Sequence, residues 1–222
     1  MLGLTGSATP VGLNAQQLVN YNGGGTCEGG DPLAALKWIS ENGSVDSSCL
    51  QYVAKDFAGT PGDMQTCKDC VPPPCPAEST SAQCQDQCHA TTPARLYYVD
   101  TYRGFKGKAE MQAEIKKNGP IECAIEATEK FDEYTGGIYH EILGHEPQLN
   151  HAIAVVGWGR DEGSQIDYWI GRNSWGTYWG EGGFFRMIMD GNDLGITTDC
   201  TAGTPSFTKP TPPPSKNQTE II

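Results

Sequence analysis

Residues 150–185, NHAIAVVGWGRDEGSQIDYWIGRNSWGTYWGEGGFF, constrain this chain more than any other stretch. An apolar run over residues 152–158 is followed by a second hydrophobic piece, Tyr168-Trp169-Ile170, and a Gly/Asp/Ser-rich loop over 159–165 lies between them. That pattern predicts two strands joined as a hairpin. Pairing them carries His151, at the start of the first strand, towards Asn173, just past the end of the second. An imidazole held by an amide is oriented to serve as a general base or as the cationic partner of a thiolate. The bland alternative for a single histidine is a core position with no chemistry.

The rest of the chain supplies helices first and then mainly strands. A short helix is predicted over residues 13–20, and residues 22–30 are almost all turn formers, ending in Cys27-Glu28-Gly29-Gly30. Asp31 can cap a second helix, with Pro32 in its first turn, Leu33, Leu36 and Ile39 at helical spacing, and Asn42-Gly43 as its stop. Aromatic and β-branched residues predict a strand over 95–102. A helix is predicted over 108–117, with Ala109, Met111 and Ile115 on one side. Residues 121–127 alternate Ile121, Cys123 and Ile125 with Glu122, Ala124 and Glu126, the signature of a half-buried strand. Ile138-Tyr139 and Phe184–Ile188 are further strand candidates. The order predicts an α+β protein with two lobes and a site between them.

Composition narrows the function classes. The chain has 222 residues, 15 basic against 27 acidic, and a formal charge of −12. That length buries one substantial core or two small lobes, and the acidic balance argues against a nucleic-acid surface. No run approaches the roughly 18 apolar residues of a membrane span. The opening MLGLTGSATP lacks the charged region and apolar core of a signal peptide. Nine cysteines nevertheless point to a disulfide-forming route, lysosomal or extracellular. An incomplete N-terminus would reconcile the two. Asn42-Gly43-Ser44 and Asn217-Gln218-Thr219 read as glycosylation sequons.

Residues 60–93 form a cysteine-rich insertion with Cys67, Cys70, Cys75, Cys84 and Cys88, broken by three prolines at 72–74. Soft ligands at Cys67, Cys70, Cys84, Cys88 and His89 permit a zinc reading. The reading preferred for an oxidising compartment is a disulfide-stapled loop, and these five with Cys49 allow fifteen pairings. From Thr204 onwards, TPSFTKPTPPPSKNQTEII has no core pattern and reads as a flexible tail.

NHAIAVVGWG followed by YWIGRNSWGTYWGEGGFF resembles the histidine and asparagine blocks of papain-like cysteine peptidases. TCEGGDPLAALKWISENG resembles that family's Cys-x-Gly-Gly turn and following helix, and NGPIECAIEATEKFDEYTGGIY resembles its Asn-Gly-Pro to Gly-Gly-Ile-Tyr segment. The CEGG turn and Cys123 are most similar to the cathepsin X (cathepsin Z) branch. The resemblance implies a two-lobe fold over residues 1–203, with a helical left lobe and a β-rich right lobe. It implies His151 as acid/base, Asn173 as its orienter, Trp175 as a shield and Trp179 on the leaving-group side. Gly29 and Gly30 would line the cleft for an extended peptide, the alternative being a plain tight turn. Cys123 would pair with Cys200, the alternative being two unpaired buried thiols. Neither cofactor nor metal is required, and partners would be peptide substrates and protein inhibitors met by a monomer.

One part of the pattern is missing. The family's Gln…Cys-Gly-x-Cys-Trp block precedes the Cys-x-Gly-Gly turn by tens of residues, and no Cys-Trp pair occurs in this chain. Cys27 matches a disulfide cysteine rather than the nucleophile, and Tyr21 stands where the family has a cysteine. The left lobe is therefore expected to be incomplete and the chain as written inactive, as a fragment of a peptidase. The rival expectation is a non-catalytic pseudopeptidase that binds peptides or inhibitors.

Overall fold

Strands β6 (His151–Asp161) and β7 (Ile166–Arg172) form the predicted hairpin in the computed structural model, which describes residues 12–47, 52, 96–191 and 193–210. Pairing runs from Ala154↔Arg172 to Asp161↔Ile166, so residues 159–161 of the expected 159–165 loop are strand. Gly159 permits this, because a Cβ there would lie 2.7 Å from the Tyr168 hydroxyl. The remaining turn is closed by Asp161, whose Oδ2 accepts from the Ser164 amide at 2.7 Å and hydroxyl at 2.6 Å.

The chain divides into two compact units. The first comprises Gly30–Leu36 and Tyr102–Thr204. Its β-sheet continues from the hairpin in the order β3-β9-β4-β6-β7-β8-β5, with β3 (Tyr98–Phe105), β4 (Ile121–Ile125), β5 (Ile138–Tyr139), β8 (Phe184–Ile188) and β9 (Cys200–Ser206). β4 pairs antiparallel with both β6 and β9, and β5 runs parallel to β8. The predicted alternation of β4 holds: Ile121, Cys123 and Ile125 are buried while Glu122 and Ala124 take the other face. Cys123 opposes Cys200 across the β4–β9 pair, and a disulfide joins them. Phe131, Trp169, Phe185 and Met187 fill the core with Met111 and Leu194.

Two expectations shift. The strand expected over 95–102 lies at Tyr98–Phe105. The helix Lys108–Asn118 buries Met111 as predicted, but Ala109 is exposed and Glu114 turns inward instead. Glu114 can do so because Arg103 reaches it at 2.7 Å and Asn118 donates to its other oxygen. A short helix, Glu129–Asp132, begins at Thr128, whose hydroxyl accepts from the Phe131 amide.

The described part of the second unit comprises residues 12–29, 37–47, 52, 96–101 and 205–210. Its helix Ala15–Asn20, shorter than the expected 13–20, is capped by Asn14 and buries Gln16, Gln17 and Asn20. Tyr21 stacks on Trp38 at 5.7 Å, so the position where a cysteine was expected is used for ring packing. The helix Pro32–Asn42 runs from the first unit into the second. Asp31 caps it as predicted, accepting from the Leu33 and Ala34 amides at 2.8 and 3.3 Å. Ile39 is buried, whereas Leu33 and Leu36 are half-buried. Gly43 closes the helix with φ of +78° and an N–H to the Ile39 carbonyl. In the first sequon, Ser44 is fully buried and the Asn42 amide donates to the Trp38 carbonyl, which makes this triplet a structural turn. Strand β9 continues to Ser206, beyond Thr204 where the tail was expected to begin. The cysteine-rich insertion, Cys49, Cys67, Cys70, Cys75, Cys84, Cys88 and Asn217 lie outside the described residues.

Candidate active site

His151 opens β6 and Asn173 follows β7 by one residue, so the hairpin register brings them to the same end. His151 Nε2 lies 2.9 Å from Asn173 Oδ1. The same oxygen accepts the Ser174 amide N–H at 2.8 Å, which fixes the oxygen end of the Asn173 side chain towards the imidazole. An oxygen can only accept, so Nε2 carries the proton and Nδ1 keeps its lone pair. Nδ1 is thus the basic atom of the site. Asn173 is itself held by its N–H to the Gly183 carbonyl at 2.9 Å and is only 6% exposed.

Trp175 stacks on the His151 ring at 4.9 Å and 27°, covering the His–Asn pair on one side. Trp179 meets Trp175 edge-on at 5.2 Å and is anchored by its indole N–H to the Asp132 carbonyl at 2.9 Å. Behind both stands Phe131, with ring centroids 5.9 Å from Trp175 and 5.2 Å from Trp179. Sequence reasoning missed Phe131, because nothing local marks it as the support of the two indoles. Apolar walls around an imidazole exclude water and strengthen the electrostatics within.

Gly29 and Gly30 form β2 and are exposed, paired with β1 (Gly25–Thr26) in a two-stranded hairpin. Gly29 has φ of +138° with open space where a Cβ would stand. Gly30 with Asp31, Pro32 and Leu33 lines a cavity of about 320 Å³, whose other walls are Glu122, Ala124, Leu149, Asp199 and Thr201. This cavity adjoins the histidine strand: Ala124 pairs with Ala152, and Leu149 precedes His151 by two residues.

The cavity is acidic. Burial pushes the Glu122 carboxyl up to about 7, and Asp199 and Asp31 add to the rise while the Thr201 hydroxyl opposes it. Thr201 donates to Glu122 Oε2 at 2.8 Å, and the buried Oε1 has no partner among the described residues. The alternation of β4 could have flagged Glu122 as pointing away from the core. Asp199 and Leu149 join it only through the fold.

Among the described residues the cysteines divide clearly. Cys123 and Cys200 are buried and bonded to each other, so neither is a thiol. Cys27 is free and exposed. Among the described residues no group of His, Cys, Asp and Glu has the arrangement of a metal site, and no helix is long and apolar enough to cross a membrane.

Comparison with known proteins gives the family. Residues 4–204 match the Papain family cysteine protease profile. Cathepsin Z of Onchocerca volvulus is 37% identical over 183 residues, covering 82% of this chain and 54% of that protein. Cathepsin B-like cysteine proteinase 5 of Caenorhabditis elegans is 33% identical over 201 residues, covering 85% and 57%. The chain thus spans about half the length of these relatives. Among solved structures, the bromelain protease from Ananas comosus in complex with the E64 inhibitor superposes with a TM-score of 0.65 at 25% identity, covering 90% of this chain and 80% of that one. The procathepsin B S9 from Trypanosoma congolense shares the fold, with a TM-score of 0.67 at 22% identity, covering 92% and 63%. The α+β architecture, the sequence match and these neighbours agree: the chain belongs to the papain family of cysteine proteases.

Proposed function

We propose that His151 and Asn173 are the acid/base half of a cysteine-type peptidase site, with the nucleophilic thiol outside these 222 residues. The observation that carries the reading is the fixed amide oxygen of Asn173. It leaves His151 Nδ1 as a base, 2.9 Å of hydrogen bond holding Nε2 on the other side. In this mechanism the imidazole takes the proton of a thiol, and the thiolate attacks a peptide carbonyl carbon. His151 then returns that proton to the leaving amine, and water hydrolyses the thioester with His151 again as base. Asn173 keeps the ring in register through both halves, and Trp175 covers the pair. Trp179 would serve the leaving-group side, and the exposed Gly29-Gly30 backbone would offer hydrogen bonds to an extended peptide substrate.

The acidic cavity favours a basic side chain on that substrate. The Glu122 carboxyl there ionises as pH rises through about 7, so the preference strengthens across that range. A lysosomal or extracellular setting, a monomeric state and protein inhibitors as partners complete the proposal. The buried Cys123–Cys200 disulfide supports an oxidising route.

The test is the intact mass and N-terminal sequence of the protein purified from its source, with a peptidase assay and thiol-probe labelling. A product carrying a Cys-Gly-x-Cys-Trp segment that is labelled and cleaves peptides supports the reading. In that product Asn173→Ala should lower kcat/KM about 100-fold by freeing the imidazole. A product starting at Met1 that binds peptides without turnover overturns it. The absence of any Cys-Trp pair within this sequence is what favours that second reading, a peptide-binding pseudopeptidase.

A further inference from the structure

The segment between β5 and β6 delivers Asn150 and His151 to the site, and it carries His140 and His145, two of the four histidines. Each faces a carboxylate that a backbone amide of the same segment also reaches. Asp193 Oδ2 lies 2.7 Å from His140 Nδ1 and accepts the Glu141 N–H at 2.7 Å. Glu126 Oε1 and Oε2 lie 2.9 and 3.1 Å from His145 Nε2, and Oε2 accepts the Gln148 N–H at 2.7 Å. The carboxylate side chains are 3% and 15% exposed, while the imidazoles are 50% and 51% exposed. Solvent protons therefore reach the rings freely, whereas the charges that answer them are fixed in the fold.

The two anchors are joined to each other and to His151. The Glu126 amide donates to the Leu194 carbonyl, next to Asp193, at 2.8 Å. Gly195 packs so closely on Pro147 and Leu149 that a Cβ would lie 2.7 Å from Pro147. Asn150 donates its N–H to Ile125, the β4 partner of His151, and its Oδ1 accepts the Ala127 N–H at 2.8 Å. Glu126 lies between those two contacts in sequence, so a pull on Glu126 is a pull on the residues that seat Asn150.

We propose that residues 140–150 are a proton-tightened strap, with Glu126 and Asp193 as positioning residues that seat His151 through His145 and His140. Its bearing on catalysis rests on the reading of His151 as the acid/base. As classes, imidazoles are protonated below about 6.5 and carboxylates ionised above about 4, so an imidazole–carboxylate contact is an ion pair in the window between. Within that window each ion pair draws its ring, and with it the strap, onto the sheet. The Gln148 N–H, then His145, hold Glu126 below the ordinary carboxylate range, which extends the window on its acid side. Lys130 also faces the strap, its Nζ donating to the His140 carbonyl, and the strap's own Glu141 accepts from the Thr128 and Tyr139 hydroxyls. Above the window an imidazole is neutral, and such a contact is reduced to a tautomer-dependent hydrogen bond.

Amide hydrogen exchange on the full chain tests this, read by NMR at pH 5 and 7.5 and corrected for intrinsic exchange. The Gln148 and Glu141 amides should be about two- to fivefold better protected at pH 5, the range of a partly exposed ion pair. His145→Gln should flatten the response at Gln148 and spare Glu141, and His140→Gln should do the reverse. Glu126→Gln, which keeps an acceptor for the Gln148 amide, should move the His151 Cε1–H resonance at pH 5. Equal protection at both pH values in the unsubstituted chain overturns the proposal, as does a Gln148 response that survives His145→Gln. None of these signals needs a thiol or a substrate. A flat response therefore removes the strap alone, and lack of turnover in the source protein removes the peptidase reading alone.

Discussion

The two units of this chain hold themselves together by different means. In the first, rings and aliphatic chains from β4, β6, β7 and β8 converge on Phe131, which is fully buried and touches Tyr134, Tyr139, Trp175, Trp179 and Phe185. In the described part of the second, only Ile39, Val45 and Val99 are buried apolar residues, and Asn14, Gln16, Gln17, Asn20 and Ser44 are buried beside them. Gln17 Oε1 there accepts the Val45 amide at 3.0 Å and the Ser44 hydroxyl at 3.3 Å, and Gln16 donates to Asn20 at 2.7 Å. Apolar burial is non-directional and tolerates small shifts. A buried amide network is directional, and each unmet group carries its full desolvation cost. The His151–Asn173–Trp175 arrangement is built on the first kind of core.

The sharpest way to break the contrast is Phe131→Ala. Emptying the centre of the ring cluster should cost about 3–5 kcal/mol in urea unfolding and remove near-UV signal from Trp175 and Trp179. A cost below about 1 kcal/mol would mean the rings repack without it. Gln17→Leu probes the other core. An apolar core would accept leucine, but here the Val45 amide loses its acceptor, and the expected cost is about 1–3 kcal/mol.

Glu122 is the polar exception within the first unit, and its prediction is one of pH. Burial raises its folded-state pKa to about 7, above the unfolded carboxylate value. The folded chain therefore binds the extra proton between roughly pH 4.3 and 7, and stability falls as pH rises through that range. Glu122→Gln should leave stability near pH 4 unchanged and raise it at pH 8 by roughly 1–3 kcal/mol. Denaturant midpoints across pH check this, and parallel curves for the two proteins would contradict it. The smallest effect is expected at Tyr21→Ala, which removes the stack on Trp38 and should cost about 1 kcal/mol. No loss at all would show that this ring pair adds nothing to the amide network.

Much of the site was legible because its logic is local. Period-2 apolar alternation placed β4, and two apolar runs with a polar loop placed β6 and β7, so His151 and Asn173 had to approach each other once the hairpin closed. Asp31-Pro32 and Asn42-Gly43 marked the ends of one helix for equally local reasons. Where the reading slipped, a distant partner had intervened. Arg103 makes Glu114 acceptable inside a helix whose pattern favoured Ala109. The Val45 amide makes Gln17 acceptable as a buried residue, which spacing along a short helix could not show.

By itself, then, the sequence determined the hairpin, its histidine and asparagine ends, the flanking indoles and the lack of a Cys-Trp pair, since all are properties of spacing along one strand or turn. Only the tertiary structure decided that Asp31, Glu122 and Asp199 share a cavity, that Phe131 supports both indoles, and that Asp193 and Glu126 grip the strap before His151. Solvation and charge partnership depend on which residues meet across the sheet, and those partners lie tens of residues apart in the chain.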